Sequence, residues 1–448
     1  MSPITRRQLL LGTAAGAAGA AMGGALAAPA KRLITPTTLP SAADSGIEHI
    51  VFLCMENRSF DHYLGWLAEE RPGVVTGQQA GLSYIDNNGT TQSTYHLDVR
   101  QGCGFDDPDH SYDGGRVQFN NGACDGFAKT TPDTFPLGYY TRADLPFYGG
   151  SQGKPGLVDV ATTFDHWFCS ILSSTYPNRY YTHAAQTERL DNTMATTVMP
   201  TIWDSLNTAG VSANYYFSDL PFLALWGDKY LPISRHMEDF FAQAASGTLP
   251  SFSYLDPFFL GEDQGGSNDD HPHADIWRGQ AFVSLVAQAV VNSPLWPKTA
   301  LVITYDEWGG FFDTVAPPKL PDVDPRDSDF DHSQAGFRVP AFVLSPYATR
   351  GGTANATFDH TSMLKFVEWQ FGLPSLTHRD ANAANIADVL DFANPNFAIP
   401  DLPVVADPGP HICGTTTEGG TAGMAAEDPF WVELRDYVRS SPTWRHVV

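Results

Sequence analysis

The sequence predicts an α/β fold, with a mainly parallel central sheet, helices on both of its faces and one irregular insertion. Two observations predict it. Residues 47–55 (IEHIVFLCM), 299–305 (TALVITY) and 339–345 (VPAFVLS) are nearly continuous apolar runs of strand length, the pattern of strands buried on both faces. Helical stretches alternate with them, which implies parallel strands between two helix layers.

The elements follow in chain order. Thr5-Arg6-Arg7-Gln8-Leu9-Leu10 is a twin-arginine pattern. An Ala/Gly-rich apolar stretch follows, and Ala25-Leu26-Ala27 resembles an A-x-A cleavage site. That stretch is only marginally long enough to span a bilayer. Residues 1–28 therefore read as a signal peptide for twin-arginine export, with the periplasm, cell wall or medium as destination. Residues 29–45 read as a Pro/Ala/Thr/Ser linker and residues 46–448 as one domain. The first strand stops abruptly at Glu56-Asn57-Arg58-Ser59, where Asn57 or Ser59 is placed to cap a helix starting near Phe60. Residues 76–155, rich in Gly, Asp, Asn and Tyr, read as the irregular insertion, with a hairpin around 83–95. Beyond it come a helix over 201–209, a strand over 211–217 and an amphipathic helix over 276–291. Strand 299–305 closes on Asp306-Glu307; strand 339–345 and helices over 361–371 and 429–437 complete the series.

Composition narrows the class. The 448 residues suffice for one large α/β domain, and 42% hydrophobic with 17% charged residues is a globular balance. A formal net charge of −24 argues against binding nucleic acid through its phosphates. There are five cysteines, so at least one is unpaired within the chain. Export permits disulfides. Cys103 and Cys124 flank a polar loop and are the expected pair, while Cys54 lies in an apolar strand and is expected to be a buried free thiol. No C-x-x-C pattern exists, so a thiolate zinc site is not expected.

The chemistry concentrates at strand ends. One buried strand ends in Glu56-Asn57 and another in Asp306-Glu307. In open parallel sheets, ligands bind outside the carboxyl ends of the strands. Oxygen-bearing side chains at two such ends can share a hard cation, and nearby histidines widen the choice to zinc, iron or manganese. Taken singly, each acid pair is as well explained as a helix cap.

Several segments, in order, resemble the bacterial phospholipase C and acid phosphatase family of phosphoesterases. Glu56 to Gly65 (ENRSFDHYLG) is similar to its opening signature. Asp107-Pro108-Asp109-His110-Ser111 resembles its D-x-D-H-S, and Asp125-Gly126-Phe127 its D-G-F. Thr175-Tyr176-Pro177-Asn178-Arg179 resembles T-x-P-N-R, and His271-Pro272 its H-P segment. Asp306 to Asp313 (DEWGGFFD) resembles D-E-x-G-G-F-x-D, and Asp359-His360-Thr361-Ser362 a closing motif. The resemblance runs from about residue 47 to 372.

The resemblance implies an alkaline-phosphatase-like fold and a phosphoric-ester hydrolase using a divalent metal ion of unspecified identity. Glu56, Asn57, Asp306 and Glu307 would be the metal ligands. Thr175 would be the nucleophile, activated by the metal, and Asn178 would help to hold the phosphoryl oxygens. His110 and His271 would protonate the leaving oxygen or stabilise charge. His236, His273 and His360 are further candidates, and Arg58 and Arg179 are read as partners of nearby acids. Two departures stand out. Thr314 stands where many members carry a His, and the β-rich C-terminal module of larger members is not seen. Contact with a membrane surface would then fall to loops of the main domain; aromatic segments such as 135–148 and 215–226 could make it, but core packing is the favoured reading of both. Phospholipase C-type cleavage of phosphatidylcholine-like lipids is the expected activity. Acid phosphatase activity shares the same motifs, and an inactive secreted binding protein is the remote alternative.

Overall fold

A computed structural model of the chain describes residues 32–34, 38–321, 331–413 and 429–448. The signal-peptide reading falls outside these residues. Nine strands form one sheet: β1 (Arg32–Leu33), β2 (His49–Met55), β3 (Thr162–Phe164), β4 (Ala213–Phe217), β5 (Ser234–His236), β6 (Phe252–Leu255), β7 (Thr299–Tyr305), β8 (Ala341–Leu344) and β9 (Gly352–Ala354). Their order is β1-β9-β3-β8-β7-β2-β6-β4-β5. All pairings are parallel except those of β8, which runs antiparallel to both neighbours. A short apolar run carries no signal of direction, so the sequence could not reveal this reversal.

Every residue of β7, and all of β2 but His49, is buried. Successive side chains point to opposite faces, so both faces of the sheet are covered. The covering helices include α1 (Phe60–Leu64), α2 (Tyr112–Phe119), α3 (Thr175–Ala184), α4 (Ile202–Ala209), α5 (Met237–Ser246), α6 (Ile276–Val291), α7 (His360–Phe371) and α8 (Pro429–Ser440). Helix α3 packs on α7, and α5 on α6. Ser59 caps α1, its side chain accepting from the His62 N–H.

The central register positions the site. Tyr305 lies opposite Met55, and Leu255 opposite Leu53. Three adjacent parallel strands, β7, β2 and β6, therefore deliver Asp306, Glu56 and Asp256 to one edge of the sheet.

Three expectations need correction. The linker is not wholly irregular, because Arg32–Leu33 pairs with β9 at the sheet edge. The insertion holds the expected hairpin, Ser83–Ile85 with Thr91–Ser93, but also helix α2. Gly114 and Gly115 lower its helix propensity and hid it; Ser111 caps it through the Gly114 N–H. The disulfide is Cys103–Cys413, not Cys103–Cys124. Cys124 is buried and free, held with φ 53° just after α2, while the C-terminal tail reaches Cys103 across Gln101, which donates to the His411 carbonyl. The aromatic segments 135–148 and 215–226 supply core side chains, the reading favoured for them over membrane contact. Phe135, Tyr140, Phe147, Tyr148, Phe222 and Trp226 are all buried. Cys54 is a buried free thiol, as expected.

Candidate active site

Arg179 organises the three strand ends. It is fully buried on α3 and lies 2.9 Å from Glu56 Oε1, 2.7 Å from Asp256 Oδ1 and 3.3 Å from Asp306 Oδ2. It is thus an ion-pair partner of the acids, as its sequence context implied. Arg58 differs from that reading. It donates to the backbone carbonyls of Asp270 (2.6 Å) and His271 (3.0 Å) and so holds the histidine's loop, not a carboxylate.

The turn after β2 is tight. Asn57 takes φ 60°, a left-handed conformation that Asn tolerates better than most residues. Its N–H donates to Asp306 Oδ1 at 3.1 Å. Gly309 closes against it at φ +61°, and a Cβ there would lie 2.1 Å from the Asn57 carbonyl oxygen. The Gly309 N–H in turn holds Glu307 Oε2 at 2.8 Å. The amide orientation of Asn57 that satisfies its neighbours points the nitrogen at Glu307 Oε1 (2.5 Å) and Asp306 Oδ1 (3.2 Å), and the oxygen at His271 Nε2 (3.2 Å). In this arrangement Asn57 links the acid pair to His271 and offers the acids no oxygen.

His110 and His271 meet at Asp107, 4.0 Å from His110 Nδ1 and 3.9 Å from His271 Nε2. His110 Nδ1 donates to the Pro108 carbonyl at 2.9 Å, which turns Nε2 toward Glu307 Oε1 at 3.9 Å. Burial, then His110, His273 and Arg58, hold His271 well below the usual imidazole range, so it stays neutral.

Thr175 opens α3, one turn before Arg179 and on the same helix face. Its hydroxyl is buried and has no hydrogen-bond partner. Asn178 is not directed at this space. Its Oδ1 accepts from the Ile171 N–H, and its Nδ2 donates to the carbonyls of Ile171, Ser173 and Ser174. With every amide atom spent on the loop before α3, it fixes the position of Thr175 and has no hydrogen left for a phosphoryl oxygen.

The charge balance favours a cation. Glu56, Asp256 and Asp306 share one guanidinium, and Glu307 adds a fourth buried carboxyl beside Asp306. Burial, then Asp306, push Glu56 well above the carboxylate range, and burial pushes Glu307 up to about 8. Glu56 Oε2 and the nearby Asp269 Oδ2 are buried without partners. Such orphaned oxygens cost about 1–3 kcal/mol each. A donor set of buried carboxylates fits a divalent cation, which would supply the missing partner and favour the ionised forms.

The remaining candidates lie behind or away from this cluster. His360 Nε2 donates to the Asp306 carbonyl at 2.5 Å, and its Nδ1 accepts from Trp167 Nε1 at 3.3 Å. It is a neutral brace for the Asp306-Glu307 turn. His236 ends edge strand β5 and packs on Phe217, 4.7 Å between ring centroids. The Thr314 hydroxyl binds Asp61, inside an Arg338 cluster that also holds Asp313 and Asp165. Sequence reasoning missed Asp256, Asp263 and Asp269. Asp256 carried the same signal as Glu56, an acid directly after a buried strand, but its strand has only four residues.

The model of the Phosphoesterase family matches residues 47–374. Phospholipase C B of Mycobacterium tuberculosis (strain CDC 1551 / Oshkosh) is 33% identical over 432 residues, 80% of this chain and 80% of that protein. Non-specific phospholipase C1 of Arabidopsis thaliana is 32% identical over 389 residues, 76% of this chain and 70% of that protein. Among solved structures, a protein in the alkaline phosphatase superfamily from Vibrio parahaemolyticus is similar at a TM-score of 0.32 and 12% identity, over 54% of this chain and 66% of that one. The match over residues 47–374 spans the β2, α3 and β7 ends that build the site, and the chain belongs to the phosphoesterase family.

Proposed function

We propose that the chain is an exported, cation-dependent phospholipase C. It cuts phosphatidylcholine-like phospholipids on the glycerol side of the headgroup phosphate. The observation that carries this reading is the pair of unpartnered buried oxygens: Thr175 Oγ1, one turn before Arg179 on α3, and Glu56 Oε2, on the carboxylate that Arg179 pairs with. The relatives named phospholipase C support the substrate class. Residues 46–448 act as one catalytic unit, and residues 1–28 as the twin-arginine leader. The Cys103–Cys413 disulfide suits an oxidising destination.

Thr175 Oγ1 enters as the alkoxide, its proton having passed to solvent, and attacks phosphorus as the bond from phosphorus to the glycerol oxygen breaks. His110, with Nδ1 fixed on the Pro108 carbonyl, gives the leaving oxygen a proton from Nε2. The headgroup phosphate stays esterified to Thr175 until water, deprotonated by His110, releases it. The N-terminus of α3 places its positive dipole end beside the phosphoryl group. A divalent cation on Glu56, Asp306 and Glu307 would, when bound, lower the pKa of the attacking hydroxyl and offset charge on the phosphoryl oxygens. Asn57 joins that set through its oxygen only if the amide turns over.

Rates on bis-p-nitrophenyl phosphate and p-nitrophenyl phosphate test the substrate class. The diester is expected to be hydrolysed at a rate comparable to or above the monoester. A diester rate thousands of times lower contradicts the phospholipase reading and identifies an acid phosphatase of the same family.

A further inference from the structure

We infer that Asp263, His271 and His273 form a second cation site, one that takes a transition-metal dication such as zinc. The site shares no residue with the Glu56, Asp306 and Glu307 set and does not rest on the proposed substrate. His271 Nδ1 and His273 Nδ1 each lie 3.9 Å from Asp263 Oδ1. One ligand atom from each of the three residues falls within 4.8 Å of the other two, and all three residues are buried. A separation of 3.9 Å is too long for a hydrogen bond. It is close to the spacing of about 3.4 Å between ligand atoms around a tetrahedral zinc with bonds of about 2.0–2.1 Å.

Proton accounting supports the assignment. His273 Nε2 donates to the Phe105 carbonyl at 3.0 Å, which leaves Nδ1 as the nitrogen turned to Asp263, where a cation would take the place of a proton. His271 Nε2 faces acceptors only: the Asn57 amide oxygen at 3.2 Å, Glu262 Oε1 at 3.8 Å and Asp107 Oδ2 at 3.9 Å. The proton therefore sits on Nε2, and Nδ1 is free to ligate. Neither Nδ1 makes a hydrogen bond of ordinary length. A histidine whose far nitrogen donates to an oxygen while its near nitrogen is unprotonated is the arrangement that metal-binding histidines adopt. Two imidazoles and one carboxylate select zinc, iron(II) or manganese over calcium or magnesium. The alternative grouping of Asp107, His110 and His271 has less to offer, because His110 Nδ1 is spent on Pro108 and His271 Nε2 on Asn57.

An ion here would fix His271 between the Asp263 loop and Asn57, and so set the amide orientation next to Glu307. Wild-type protein, stripped of metal and dialysed against zinc, tests this directly by anomalous scattering at the zinc edge. The expected result is a peak about 2.0–2.2 Å from Asp263 Oδ1 and both Nδ1 atoms. A zinc peak confined to the Glu56–Glu307 oxygens, or no peak at all, overturns the inference. In parallel, His273→Asn should bind one zinc ion fewer per chain than wild type, and Glu307→Gln should keep the ion at Asp263. Equal zinc content in wild type and in folded His273→Asn also overturns it. Neither measurement depends on hydrolysis, so the outcome stands apart from the phospholipase reading.

Discussion

Arg179 reaches carboxylates delivered by three different strands, and no other cation contacts Glu56 or Asp256 among the described residues. Removing it leaves buried charges without a partner. Arg179→Met should destabilise metal-free protein by about 3–5 kcal/mol, measured by thermal or denaturant unfolding. A divalent cation should recover part of that loss; an unchanged stability would show that the acids are already neutral. At this scale Glu56, Asp306 and Glu307 were legible because each follows a buried apolar run. Asp263 and Asp269 were not, because they lie in an irregular loop whose position is set by contacts far away in sequence, such as Arg58 on the Asp270 carbonyl. The amide of Asn178 was misleading for a related reason. Residue type shows that it can bind a phosphate, and only the fold shows that its hydrogens are already used.

Helix α7 carries a second buried carboxyl. Glu368 packs beside Asp380, accepts from Ser375 Oγ at 3.0 Å, and leaves Oε1 without a partner. Burial, then the contact with Asp380, raise its pKa from 4.5 to about 9. The sign follows directly. Below pH 4.5 the carboxyl is protonated folded or unfolded, and it costs nothing. Between 4.5 and 9 the unfolded chain ionises it while the native state does not, so stability falls as pH rises. Glu368→Gln should raise Tm by a few degrees at pH 8 and leave it unchanged at pH 4. Equal shifts at both pH values would contradict the burial argument. At the scale of elements the reading of the sequence was most successful for long periodic segments. Helix α6 and strand β7 fall where their patterns put them, because burial on one or both faces writes a period into the sequence. The antiparallel β8, the glycine-containing α2 and the Cys103–Cys413 pairing had no such local signature.

Across the whole molecule, the parallel sheet concentrates acids at one edge, and a cation resolves the cost. Burial holds Glu307 up to about 8 from an ordinary 4.5. Without metal, stability should therefore decline as pH climbs through that interval, by the same sign as for Glu368. A bound cation favours the ionised carboxylate and removes the decline. The Tm gap between metal-loaded and chelated protein should widen from pH 5 to pH 8, and a constant gap would place the metal away from Glu307. The account as a whole turns on Thr175, whose hydroxyl the fold leaves buried and unpartnered, one helical turn from the Arg179 that pairs with these acids. Acid-quenching the enzyme during turnover and mapping phosphate by mass spectrometry tests this most directly. Phosphate, with or without the headgroup alcohol attached, is predicted on Thr175 in wild type, together with loss of at least about three orders of magnitude in kcat for Thr175→Ala. Full turnover by Thr175→Ala, with no phosphate trapped on the wild-type chain, would contradict it.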